Sequence, residues 1–174
     1  MHVKNFEFKA KVNNLEPYEN KLLTLGPVYH GLDHQTDTYF NVPNGRLKLR
    51  EGNIENALIN YDRADIAGSK QSDIILYKHL SNPALKKILA HQLGIKTIVD
   101  KKRKIYFINN VKFHFDSVEN LGTFIEVEAI DQDGTFTTEE LQQQCNHYFQ
   151  FFELTQDQVI DKSYSDLILS RLVS

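Results

Sequence analysis

Residues Asn5-Phe6-Glu7-Phe8-Lys9-Ala10-Lys11-Val12 alternate without a break between apolar and polar side chains, except that Asn5 opens on the polar phase. Successive strand side chains point to opposite faces. Phe6, Phe8, Ala10 and Val12 therefore share one face, and Asn5, Glu7, Lys9 and Lys11 the other. The pattern returns in Arg46-Leu47-Lys48-Leu49-Arg50, in Val111-Lys112-Phe113-His114-Phe115-Asp116 and in Phe124-Ile125-Glu126-Val127-Glu128-Ala129. One such strand is an ordinary solvated face. Several of them constrain the fold far more, because each apolar side needs cover and the charged sides carry both signs. They point to an interior lined with charge, suited to a polyanion held with a divalent metal.

Other segments punctuate these strands. Asn13 or Asn14 can cap a helix that has Pro17 in its first turn and Leu15, Tyr18, Leu22 and Leu25 at helical spacing. Val28 to Asn41 reads as extended, and Val42-Pro43-Asn44-Gly45 is a turn, so this segment forms a hairpin with Arg46 to Arg50. Further strands are expected at Ala57 to Arg63, Asp73 to Lys78, Thr97 to Ile108 (with a possible interruption), Lys112 to Val118 and Thr123 to Ile130. Ile66 to Lys70 reads as a mobile connection. Ser81-Asn82-Pro83 opens a helix closed by Gly94. Thr137 or Thr138 with Glu140 resembles a helix start, ahead of an apolar stripe through Leu141, Cys145, Tyr148, Phe149 and Phe152. A last helix is expected from Tyr164 to Val173.

The expected class is α+β: about eight strands, mainly antiparallel, with three or four helices. A closed or nearly closed antiparallel barrel with a charged lumen, covered outside by helices, satisfies both strand faces. An open sheet with one wet face reads almost the same way. At 174 residues, with no repeat or linker, one domain spanning 1–174 is expected.

Net charge is −3, so no global basic field favours nucleic acid, and any anion site must be local, built from some of the 20 Lys and Arg. Cys145 is the single cysteine, which excludes an intrachain disulfide and a multi-cysteine metal site. No signal-like segment precedes the first strand, and no run approaches the roughly 18 apolar residues of a membrane span. A cytoplasmic location without membrane association is expected. His30 and His34 have metal-compatible spacing, but zinc needs three or four ligands and no zinc site is expected. Gly68-Ser69-Lys70 lacks the glycine spacing of a P-loop.

Taken in order, these residues resemble the CYTH superfamily of class IV adenylyl cyclases and thiamine triphosphatases, also called triphosphate tunnel metalloenzymes. The family signature Glu-x-Glu-x-Lys appears here as Asn5-Phe6-Glu7-Phe8-Lys9, with Asn5 where the family has its first Glu. Gln35 to Phe40, Gly45 to Arg50, Tyr61-Asp62-Arg63, Lys101-Lys102-Arg103, His114-Phe115-Asp116, Leu121-Gly122, Glu126 to Ala129 and Ser163 to Asp166 continue the match along nearly the whole chain. Asp37 and Tyr39 make it closest to the class IV cyclase branch.

The resemblance implies a triphosphate cradle. Arg offers planar bidentate contacts to phosphate, and Lys a compact charge. Lys9, Lys48, Arg50, Arg63 and Arg103 are the leading cradle residues, with Lys11, Arg46, Lys78 and Lys101 behind them. Lys9, Arg63 and Arg103 are the candidates for catalysis. Glu7, Asp116, Glu126 and Glu128 are candidate ligands for Mg²⁺ or Mn²⁺, which favour oxygen donors. The structural alternative is that these residues form salt bridges among themselves, and both roles are compatible.

The implied function is conversion of ATP to cyclic AMP and pyrophosphate. The alternatives are a triphosphatase acting on thiamine, nucleoside or inorganic triphosphate, and a module that binds a triphosphate without turnover. A small-molecule triphosphate is the expected partner, and a homodimer is compatible with the resemblance. No adenine pocket is legible in the sequence.

Overall fold

The computed structural model describes residues 2–63 and 70–173, with side chains for 3–62 and 73–173. Among the described residues there are eight strands: β1 (His2–Val12), β2 (Val28–Phe40), β3 (Arg46–Glu51), β4 (Ala57–Arg63), β5 (Lys70–Lys78), β6 (Ile95–Ile108), β7 (Val111–Val118) and β8 (Gly122–Asp131). Four helices join them: α1 (Glu16–Leu23), α2 (Pro83–Leu93), α3 (Thr138–Phe151) and α4 (Tyr164–Leu172). The expected connection from Ile66 lies outside the described residues up to Lys70, which begins β5.

The strands close into one antiparallel barrel in the order β1-β5-β4-β3-β2-β6-β7-β8. Closure removes the sheet edges that the open-sheet alternative would have left to water. β1 completes the ring by pairing with β5 through His2–Glu7 and with β8 through Lys4–Val12. Beyond Glu7, the last residue of β1 paired with β5, the C-terminal segment lies beside β1: Ala10 bridges Val159, and the Ile160 amide donates to the Lys9 carbonyl at 2.9 Å. β6 runs unbroken for 14 residues.

Strand parity sets the core. Phe6, Phe8, Ala10 and Val12 face outward and pack with Phe113, Phe115, Ile125, Val127, Leu141, Cys145 and Phe152 in a layer between the barrel and its helices. Phe8 meets Phe149 of α3 edge to face at 5.4 Å. Burying each phenylalanine contributes roughly 1.5–3 kcal/mol. Thr137 caps α3 in a complete capping box with Glu140, which fixes where this cover begins. At α1 the expectation shifts by one or two residues. Leu15 is the cap position, and Asn14 serves instead as a side-chain acceptor for the Glu16 amide.

A second cluster closes one end of the barrel. Tyr39, Ile59, Tyr61, Val99 and Phe124 pack there against Tyr164, with Leu167 and Ile168 of α4 partly buried on them. α4 is held by its own capping box, Ser163 with Asp166. Among the described residues, no helix is long and apolar enough to cross a membrane.

Candidate active site

The lumen is a cavity of about 550 Å³ whose walls are the inward positions of all eight strands. Parity carries Asn5, Glu7 and Lys9 of β1 into it, along with Lys48 and Arg50 of β3, Lys101 and Arg103 of β6, and Glu126 and Glu128 of β8. Two buried carboxylates organise the cations.

The first is Asp37 on β2. Arg50 grips it with two bonds, Nε to Oδ1 at 2.9 Å and Nη2 to Oδ2 at 2.8 Å. Lys101 Nζ donates to Oδ2 at 2.8 Å, and Lys48 Nζ lies 3.4 Å from the same atom. Burial alone would raise the Asp37 carboxyl, but Arg50, Lys101 and Lys48 together hold it well below the usual carboxylate range. Lys101 bears the opposite consequence. Burial, reinforced by Arg50 and Arg103 against the pull of Asp37, lowers its ammonium to about 7.

The second is Asp116 on β7, directly opposite Arg103 in the ladder. Arg103 Nε and Nη2 donate to its two oxygens at 2.7 and 2.6 Å, and Tyr164 Oη donates to Oδ2 at 2.7 Å. Arg103 also lies 3.6 Å from Glu126 Oε1, and Lys9 Nζ lies 3.4 Å from Glu126 Oε2. Burial opposes ionisation of Glu126, yet Lys9 and Arg103 keep it well below the ordinary range. The Lys9 ammonium stands 4.1 Å from the centre of the Tyr164 ring. Thus α4, far along the chain, orients Asp116, which in turn holds the Arg103 guanidinium.

Near the opposite end, Asn5 Nδ2 donates to Glu128 Oε1 at 2.6 Å. Its other terminal atom, Oδ1, is buried and has no partner. Glu7 faces Glu128 across the β1–β8 ladder. His114 is fully buried with Nδ1 at 3.2 Å from Glu126 Oε1, while Nε2 has no partner. Burial, then Arg103, lowers its pKa. Glu55, on the β3–β4 turn, reaches in to pair with Lys112 and with Arg50 Nη1 at 3.2 Å. Its turn is fixed by Asp33, whose oxygens accept from the Ile54 and Glu55 amides at 2.9 Å each.

The lumen thus gathers Glu7, Lys9, Lys48, Arg50, Lys101, Arg103, Glu126 and Glu128, and Lys78 lies on its exposed margin. Asp116 stands behind Arg103. Arg46 is turned to the α4 end, bonded to Ser163 Oγ at 2.8 Å and paired with Asp166 at 2.9 Å. Lys11 is exposed at the end of β1, 5.8 Å from the Phe124 ring centre. The Arg63 side chain lies outside the described residues. Sequence reading missed Asp37, Lys112, His114 and Glu55 as site residues. Parity with Asp116 marks Lys112 and His114, and the β2–β3 hairpin sets Asp37 opposite Arg50. No local signal marks Glu55, which sits in a turn.

A closed barrel with paired cations and carboxylates inside defines a tunnel architecture. The CYTH domain model matches residues 4–146, and the chain belongs to that family. No curated protein matches it. Among solved structures it is similar to the PH1012 protein of Pyrococcus horikoshii at 24% identity and TM-score 0.80, covering 94% of this chain and 98% of that one. A putative adenylate cyclase of Vibrio parahaemolyticus aligns at 17% identity and TM-score 0.77, covering 95% and 97%. A Hippeastrum protein, described as a putative adenylyl cyclase with a dominant triphosphatase activity, aligns at 11% identity and TM-score 0.60, covering 100% and 97%. At these identities the likenesses establish the fold.

Proposed function

We propose that this protein is a divalent-metal-dependent enzyme acting on a triphosphate, with ATP cyclisation to cyclic AMP and pyrophosphate as the leading reaction. The observation that carries the reading is the ring of five lumen cations, Lys9, Lys48, Arg50, Lys101 and Arg103, held on Asp37, Asp116 and Glu126. Buried carboxylates stand in for an anion while the cations keep fixed directions. A polyphosphate entering the tunnel meets donors already oriented, which is the arrangement that lowers a barrier most.

The residues present suit a hard cation. Asn5 Oδ1 is a buried oxygen without a partner beside Glu128, and Glu7 is the cross-strand neighbour of Glu128. Among the described residues no ready cluster of three His, Cys, Asp or Glu stands together. Mg²⁺ or Mn²⁺ would need only one or two carboxylates here and would complete their shell with water and substrate phosphate. Glu7, Glu128 and the Asn5 amide oxygen would hold the ion, with Glu126 beside them. Bound there, it would neutralise phosphate charge as bonds break.

The protein's own share is positional. Arg103, clamped by Asp116, and Lys9, between Glu126 and Tyr164, direct charge at the phosphoryl groups. Arg50, Lys48 and Lys101 hold the remaining phosphates. In cyclisation the ribose 3′-oxygen forms a bond to the α-phosphorus as the bond to the bridging oxygen of pyrophosphate breaks, and the hydroxyl proton leaves to solvent or a nearby base. The Hippeastrum neighbour, described as having a dominant triphosphatase activity, supports a second reading, a triphosphatase. The same cations would then hold the terminal phosphoryl group as water forms a bond to its phosphorus and the bond to the bridging oxygen breaks.

Purified protein incubated with ATP and Mg²⁺ or Mn²⁺, with products separated by ion exchange, distinguishes these. Cyclic AMP with pyrophosphate is the expected result, ADP with phosphate selects the triphosphatase, and unchanged ATP with no other triphosphate cleaved removes the enzyme reading.

A further inference from the structure

The barrel end away from α4 is crossed by the Glu55 side chain. The cluster beneath α4 covers the other end, whereas the rim here includes Lys78, Leu80 and Gln132, all exposed. Glu55 stands on the turn between β3 and β4, and Lys112 on β7. In the closed ring, β7 lies four places from β4 in either direction. The two strands therefore face each other across the lumen, and the Glu55–Lys112 ion pair spans the mouth. The same carboxylate accepts from Arg50 Nη1 at 3.2 Å and from Gln35 Nε2 at 3.1 Å. Donors from β2, β3 and β7 thus converge on it.

The turn that presents Glu55 is tied down at several points. Asp33 holds the Ile54 and Glu55 amides, and the Asn53 side chain accepts from the His34 amide at 2.6 Å and donates to the Leu32 carbonyl at 3.1 Å. Gly52 and Asn56 bond to each other in both directions. A Cβ at Gly52 would lie 2.6 Å from Asp33 Oδ1, so a side chain there would push the anchoring carboxylate away. With its backbone fixed, Glu55 can move only through its side chain. It differs in this from the other carboxylates that hold the cations. Asp37, Asp116 and Glu126 lie on strands beside their partners, with side chains 2%, 0% and 11% exposed. The Glu55 side chain is 26% exposed and reaches in from a turn, so it can swing out without moving a strand. Arg50 then keeps both its bonds to Asp37, and Lys112 is freed to meet an incoming anion. Exchanging one anionic partner for another avoids the large penalty of leaving a sheltered cation unpaired.

Resting on the triphosphate reading above, we propose that Glu55 is an autoinhibitory latch. Its carboxylate bridges the mouth of the empty tunnel, and a polyanion enters by displacing it from Lys112 and Arg50. The free energy of opening the latch is subtracted from the affinity of every ligand that uses those cations.

The test titrates a non-hydrolysable, bismethylene-bridged ATP analogue with Mg²⁺ into wild type, Glu55→Gln, Glu55→Ala and Glu119→Gln by calorimetry. Glu119 is exposed on the β7–β8 turn, and Val118 and Leu121 beside it pack in the cluster at the α4 end. Its substitution changes net charge as Glu55→Gln does, but far from this mouth. Both Glu55 variants are expected to bind the analogue about tenfold or more tightly than wild type, because the closed form no longer competes. Glu119→Gln is expected to bind like wild type. Circular dichroism reports the fold of each, and the second Glu55 variant decides the matter where the first misfolds. Folded Glu55 variants that bind no more tightly than wild type overturn the proposal. An equal gain in Glu119→Gln also overturns it, by tracing the effect to net charge. Binding in none of the four proteins removes the triphosphate reading itself, and this inference with it.

Discussion

Lys101 offers the sharpest consequence of the lumen's electrostatics. Its ammonium lies 2.8 Å from Asp37, yet burial and the neighbouring Arg50 and Arg103 lower its pKa to about 7. At pH 8, roughly nine-tenths of a group with that pKa is neutral. A bound triphosphate brings several negative charges beside it and restores the charged form. Binding at pH 8 should therefore take up close to one proton. Affinity should fall by up to about tenfold for each pH unit above 7, because 1.36 kcal/mol corresponds to one unit.

The same shift affects folding. The unfolded lysine keeps its proton to about pH 10, so between pH 7 and about 10 the unfolded state binds more protons and this residue makes stability rise with pH. The assay is calorimetric titration with a non-hydrolysable, bismethylene-bridged ATP analogue at pH 8 in two buffers of different ionisation enthalpy. Lys101→Met should abolish the uptake. Lys101→Arg, always charged, should abolish it while retaining more of the affinity. Absence of proton uptake in wild type, or uptake that persists in Lys101→Met, would refute the reasoning; the latter would shift it to His114, the other buried base of the lumen.

Three more outcomes follow from particular contacts. Asp116→Asn removes the nearer and bidentate of the two carboxylates that pair with the buried Arg103, leaving Glu126 at 3.6 Å, and should lower stability by up to about 3–5 kcal/mol, read from the urea midpoint, whereas a loss under about 1 kcal/mol would mean the pair is not sealed from water. Phe8→Asp drives a carboxylate into the layer beneath α3 and should abolish cooperative unfolding, so a native-like melting curve would contradict the outward register of β1. Cys145 is buried and its thiol is pushed up to about 12 by burial; it should resist a thiol reagent at pH 8 until denaturant is added, and rapid labelling of the native protein would show that α3 opens.

Local pattern determined a good deal of this molecule. Period-two alternation assigned Phe6 and Phe8 to one side and Glu7 and Lys9 to the other, and that division survives in the barrel because a pleated strand has no other way to arrange successive side chains. The same alternation brought Lys48, Arg50, Arg103, Glu126 and Glu128 to a common face, and Thr137 with Glu140 announced α3. What tertiary structure decided is which of these residues meet. Asp37 finds Lys101 across 64 positions of sequence, and Tyr164 finds Asp116 across 48, because β2 pairs with β6 and α4 folds over the barrel end. Glu55 enters the lumen only because Asp33 ties down its turn. Alternation also said nothing of how charge is spread around a closed ring. Side-chain direction is a property of neighbouring residues, but proximity across a lumen depends on strand order and closure, which only the long-range pairing sets.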